Sequence, residues 1–139
     1  VIWWAGRGLA LIGGGHLAIG LLLSRSYFDD WFALRLWGHW TEDTHQASYF
    51  WANPAGFGWP LLLIGLTVVW MDRRGITPPL FLAWMVLGWA VVCAVIAEPT
   101  PGPVLVAFAV MLLRGVQKAS GRAQTVPAEQ AAETQRAGL

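Results

Sequence analysis

Charge is scarce in this sequence. Of its 139 residues only 12% are charged, against about 25% in an ordinary soluble domain, which excludes a conventional hydrated surface and points to an apolar environment. Nine Lys and Arg against eight Asp and Glu leave a net charge of +1. The basic residues are spread over several loops, whereas a nucleic-acid surface needs them gathered on one face, so no nucleic-acid partner is expected. The single cysteine, Cys93, excludes an internal disulfide. A glycine-rich phosphate loop, a serine-nucleophile motif and a CxxC pair are also missing. No short alternating strands are visible, which argues against a lipid-facing β-barrel.

What is present is apolar: 56% of the residues, in four blocks separated by charges and prolines. A segment crossing lipid must satisfy its own backbone hydrogen bonds, so the blocks read as helices. The expected spans are about 2–23, 49–71, 78–97 and 103–116. Together they form a four-span membrane domain over 1–118, followed by a disordered cytoplasmic tail over 119–139 that lacks large apolar side chains. The first block is longer than the 7–15 apolar residues of a secretory signal, and no Ala-x-Ala-like site lies near Leu23, so it is expected in the mature protein. Stepping by three or four along it gives Gly6, Ala10, Gly13, Leu17, Gly20 and Ser24, a small-residue stripe that allows close helix approach.

The connection over 24–48 mixes aromatics with Asp29, Asp30 and Arg35 and suits a bilayer interface, as an irregular segment or a short surface helix. Asp43 with Gln46 three residues on resembles a capping box, predicting a helix start near Thr44. Asn53-Pro54 offers a second start, with Asn53 as cap, and Pro60 is expected to bend the helix. Four spans place seven basic residues on one side and only Arg25 and Arg35 on the other. By the positive-inside rule both termini are cytoplasmic and the aromatic segment between helices 1 and 2 is extracytoplasmic. The expected fold is therefore an all-α, N-in/C-in four-helix transmembrane bundle, multi-pass in the cytoplasmic (inner) membrane.

Ionisable residues at membrane depth are functional candidates. His16 lies about 13 Å along its helix from Arg7, and Trp59 and Trp89 fall at a similar level, so His16 ties helices together, lines a pocket for a lipid, sterol-like molecule or quinone with those two indoles, or ligates haem or a metal. His39, Glu42, Asp43 and His45 form the densest polar cluster. The histidines are six apart, which is not the spacing of a zincin, and no metal site is expected. The cluster reads as cap and loop residues, or as general acid/base groups or substrate contacts. Glu98, at the outer end of helix 3, is either a water-exposed turn residue or a proton partner for His39 or His45. The catalytic candidates are thus His16 and Glu98, and the residues do not identify a cofactor.

Trp4-Ala5-Gly6-Arg7 with His16, Phe50-Trp51 leading to Gly58-Trp59-Pro60-Leu61-Leu62-Leu63-Ile64-Gly65, Pro79 with Leu87-Gly88-Trp89, and Pro101-Gly102 resemble a family of small bacterial four-helix integral membrane proteins known only as a domain of unknown function. The likeness covers about residues 3–115 and implies a topology without an activity. Four spans with aromatic walls are also similar to sterol-isomerase-type membrane proteins, where buried His and Glu move protons on an apolar substrate, although here the carboxylates lie outside the spans. The function expected is a small membrane accessory or interaction subunit, or a binder of an apolar ligand. Its partners would be the bilayer and a larger membrane protein docked on the helix 1 glycine face. The alternative is a membrane enzyme acting on a lipid or isoprenoid by proton transfer through His16.

Overall fold

The first apolar block forms one uninterrupted helix, α1 (Ile2–Leu23), with the bounds its hydropathy predicts. The structure, a computed structural model, describes residues 1–39, 42–53, 56–96 and 102–137, the side chains of residue 96 and of 123–137 excepted. After α1 come a 3-10 turn (Arg25–Tyr27), α2 (Phe28–Phe32), α3 (Thr44–Ala52), α4 (Gly58–Arg73), α5 (Leu80–Ile96) and α6 (Gly102–Ala137). Contacts divide the chain into two units, Gly6–Thr67 and Val1–Ala5 with Val68–Leu139.

In the Gly6–Thr67 unit, backbone meets backbone. A Cβ placed on Gly13 would fall 2.5 Å from the Leu62 nitrogen and 2.8 Å from the Gly58 oxygen, and one on Gly65 would collide with the backbone of Ala10 and Gly6. Such approach is open only to residues without a side chain. Leu9 and Leu61 are fully buried, whereas Leu11, Ile19, Leu22 and Leu63 face outward. In the other unit α5 packs on α6. The buried stripe of α5 is Ala83, Val86 and Ala90, and that of α6 is Leu105, Ala109, Leu112 and Val116, both at helical spacing. Here too the alanines lie inside, while Phe81, Trp84, Met85 and Val95 are exposed.

Two helix ends share one geometry with different residues. At the end of α4, Ile76 N–H bonds Met71 O (2.9 Å) and Gly75 N–H bonds Asp72 O (3.0 Å), with Gly75 at φ +70°. This is a Schellman motif with glycine at its left-handed position. At the end of α2, Arg35 N–H bonds Asp30 O (3.0 Å) and Leu34 N–H bonds Trp31 O (3.1 Å). There the left-handed position, φ +56°, is held by Leu34, a side chain that disfavours it by about 1–2 kcal/mol.

The four-helix transmembrane bundle is corrected by these elements. Among the described residues there are six α-helices, and two of them, Ile2–Leu23 and the Gly102–Arg122 part of α6, are long and apolar enough to cross a membrane. The expected span 49–71 is divided between α3 and α4, because Asn53 ends the first and the second begins only at Gly58. At 16 and 17 residues, α4 and α5 are about 24–26 Å long, short of the roughly 30 Å hydrocarbon core. The four-span, multi-pass inner-membrane architecture and the N-in/C-in orientation counted from it are overturned together. Pro60 does not bend a helix. It is the third residue of α4, where no preceding turn exists for its ring to crowd and no intrahelical acceptor awaits its nitrogen. Asn53 is the C-cap of α3 and not the N-cap of a second helix. The expected span 103–116 lies within the 36-residue α6, which runs on to Ala137 through most of 119–139.

One substitution made at two glycines of α1 should have opposite signs. Gly13→Ala drives a methyl into the α4 backbone and is expected to destabilise the protein by about 1–3 kcal/mol. Gly15→Ala meets open space and is expected to stabilise by up to about 1 kcal/mol through helix propensity. Thermal unfolding followed by circular dichroism checks both.

Candidate functional site

The residues with polar chemistry collect where α3 ends against α1. His16 Nε2–H donates to the Ala52 carbonyl at 2.7 Å. Ala52 closes α3, so its carbonyl is one of the four a helix C-terminus leaves without an intrahelical donor. The hydrogen bond places the proton on Nε2 and leaves Nδ1 as the ring's acceptor. The Phe57 ring lies against the imidazole, with centroids 4.1 Å apart and planes at 37°. His16 is half-buried, and its partner is a backbone carbonyl rather than the Trp59 indole. Trp59 is half exposed, on the same unit. Trp89 is half-buried on α5, in the other unit.

One turn further along α1 lies a polar knot that the sequence did not announce. Ser24 and Asn53 are both buried, at 0% and 3% exposure. Ser24 Oγ donates to Gly20 O at 2.7 Å, and Asn53 Nδ2 donates to Ser24 Oγ and to Tyr49 O, the latter at 2.8 Å. The Asn53 amide occupies the space where a Gly20 side chain would stand. The available signal was the pairing of a serine at the end of the small-residue stripe with an asparagine before a proline, but each has a familiar local use that hides the long-range one.

The polar cluster of the connecting segment does not converge. Asp43 is the N-cap of α3, its Oδ1 accepting from Gln46 N at 2.9 Å. His39 Nδ1 donates to Glu42 Oε1 at 3.0 Å, with both side chains largely exposed. His45 is exposed on α3. Among the described residues no group of three or more His, Cys, Asp and Glu is placed to hold a metal ion. Glu98 lies outside the described residues, as do Trp40 and Thr41.

Aromatic rings join α2 to α3. Trp31 meets Phe28 at 5.4 Å and Phe50 edge-on at 5.6 Å, and Tyr27 meets Tyr49 at 5.3 Å. Beside them Trp31, Leu34, Leu36, Trp37, Gly38, Phe50 and Trp51 line a groove of about 540 Å³, within the range of small-molecule sites. The Trp31 Nε1–H is buried without an acceptor among the described residues, and so is the Gln46 amide nitrogen. A second groove, of about 650 Å³, is lined by residues of the other unit that include Ile2, Asp72, Met111, Arg114, Lys118 and Arg122. The three basic residues are spaced four apart on α6, and so share a face.

Comparison with known proteins identifies a family and stops there. A family model, DUF6463, a family of unknown function, matches residues 2–120, and the chain belongs to that family. The four-helix membrane description carried by the resemblance is corrected by the six helices and two candidate spans above. No curated protein and no solved structure matches.

The knot predicts a compensating pair. Asn53→Ala removes two hydrogen bonds and leaves a hole beside Gly20, with an expected loss of about 2–3 kcal/mol. Gly20→Ala alone displaces the Asn53 amide and is also destabilising. The double substitution places the new methyl where the amide was, so it should cost less than the sum of the two. A double-mutant cycle from denaturant unfolding measures this, and strict additivity would contradict the arrangement.

Proposed function

We propose that this chain is a small helical accessory protein that works in contact with a lipid bilayer and recruits an apolar ligand or a larger membrane protein, without chemistry of its own. The observation that carries the reading is the distribution of side-chain size. Small residues lie inside (Gly13, Gly20, Gly58, Gly65, Ala83, Ala90, Ala109), while Leu11, Phe81, Met85 and Val95 are between 65% and 76% exposed. A helix in water turns its large apolar residues inward, and contiguous exposed apolar surface marks a face meant for lipid or protein. In both apolar windows long enough to cross a membrane, only 33% is buried inside the structure.

The remaining features suit the same role. Arg74 lies 4.9 Å over the Trp70 ring, a cation and an indole of the kind that anchor a helix end at a bilayer surface. The glycine face of α1 is taken at Gly13 and Gly20 by contacts within the chain, while Gly15 opens onto space. A docking helix would therefore meet α1 along Leu11, Gly15, Ala18 and Leu22. The histidine that a proton-transfer enzyme would need has its Nε2 engaged by a helix end, and no observation favours that second reading.

The test uses Met85, exposed in the middle of α5. The full chain is expected to co-float with phosphatidylcholine vesicles and to resist extraction by alkaline carbonate. Met85→Lys is expected to weaken that retention, since it sets a charge on an exposed apolar face, while helical content is kept. A chain that stays monodisperse in water without detergent, and is unaffected by the lysine, would overturn the reading.

A further inference from the structure

The groove beside Trp31 combines three features that point one way. Its lining carries no ionisable side chain: Trp31, Leu36, Trp37, Phe50 and Trp51 supply rings and methyl groups. The ionic groups of the adjoining loop are already paired, Arg35 with Asp30 and His39 with Glu42. Among the described residues, the unmet polar atom in the wall is a donor, the buried Trp31 Nε1–H, and the second orphan in the same unit, the Gln46 amide nitrogen one turn before Phe50, is a donor too. What the site lacks is an uncharged acceptor. A buried donor without one costs about 1–3 kcal/mol.

From this we infer that the groove binds a glycerolipid, with an acyl chain along the aromatic wall and an ester carbonyl oxygen accepting from Trp31 Nε1. The inference rests on the lipid-contact reading above and adds a defined site and ligand chemistry to it. A neutral ester satisfies the donor without bringing a charge against an uncharged wall. A phosphate or carboxylate would have no cation to meet there. Indole rings favour the ester-carbonyl level of a bilayer, where one edge is wet and the face is apolar. The indole N–H is itself buried, so the bond to the ester requires the ring to turn about its broad side-chain torsion. Leu34, held in the left-handed region at its rim, keeps a large apolar side chain at a position where glycine would be easier, as expected if the side chain serves the groove.

The experiment compares lipids that differ only in the carbonyl. The full chain, with tryptophan indoles labelled with nitrogen-15, is placed in nanodiscs of diacyl phosphatidylcholine and of dialkyl-ether phosphatidylcholine with the same chain length. The indole signal missing from Trp31→Phe identifies Trp31. It is expected downfield, and slower to exchange with water, in the ester discs only. Leu36→Trp, which fills the groove and keeps Trp31, is expected to abolish the difference with helical content unchanged; it also identifies the signal should Trp31→Phe fail to fold. A Trp31 signal at the same position in both discs overturns the site while leaving the lipid-contact reading intact. A signal that moves only on adding a prenyl benzoquinone overturns the glycerolipid in favour of a ring carbonyl. A chain that enters neither disc overturns the lipid-contact reading and this inference with it.

Discussion

Everything in the Gly6–Thr67 unit depends on two helices touching through their backbones. At Gly13 and Gly65 there is no room for even a methyl group between α1 and α4. Contact of this kind brings many peptide atoms within dispersion range, but leaves no interior in which large side chains can be stored. Leu9 and Leu61 take what space there is. Leu17 is buried with them, whereas Leu11, Ile19, Leu22, Trp59, Leu63 and Leu66 face outward, so much of the apolar exterior is a consequence of the close approach inside.

The same contact sets the register that builds the candidate site. With Gly13 against Gly58–Leu62, Gly20 comes beside Asn53, and Ser24, one turn on, reaches the Asn53 amide. Asn53 in turn holds the Tyr49 carbonyl, and His16 takes the Ala52 carbonyl. The C-terminus of a nine-residue helix, too short to be stable alone, is thereby fixed to α1 by a histidine, a serine and an asparagine. Once α3 is fixed, Phe50 and Trp51 stand where they can wall the groove with Trp31. His16 thus contributes to the shape of the aromatic site.

Much of this was legible in part. The bounds of α1 and the stripe containing Gly13 and Gly20 emerge from hydropathy and residue size, and Asp43 was readable as a cap because its partner is three residues away. Long-range uses were not readable. Asn53 before a proline looks like the start of a helix, and only its contacts with Ser24 and Tyr49 make it an end. Pro60 looks like a bend only if one helix runs unbroken over 49–71, and α4 begins at Gly58. Composition counts apolar residues without showing where the hydrogen-bond ladder stops, so four blocks read as four spans where the described residues form six α-helices. Beyond Lys118, the loss of large apolar residues suggested a tail, yet the alanines, glutamines and glutamates there are good helix formers, and α6 continues through them to Ala137.

The two orphan donors sharpen what the exterior implies. Outward leucines and phenylalanines, taken alone, fit any apolar surroundings, including the face of another protein. Trp31 Nε1 and the Gln46 amide nitrogen, one turn before Phe50 on α3, are buried without acceptors among the described residues. They lie on a segment where three carboxylates are otherwise engaged: Asp30 on Arg35, Glu42 on His39 and Asp43 on the first turn of α3. A folded chain rarely tolerates such a deficit in one small region. The deficit is of acceptors only, and Trp31 stands among uncharged rings, so the inferred ligand is apolar in bulk, neutral, and able to offer an oxygen. Ester carbonyls meet all three conditions at the depth where indoles gather, which links the inverted packing of the helices to the chemistry of the groove.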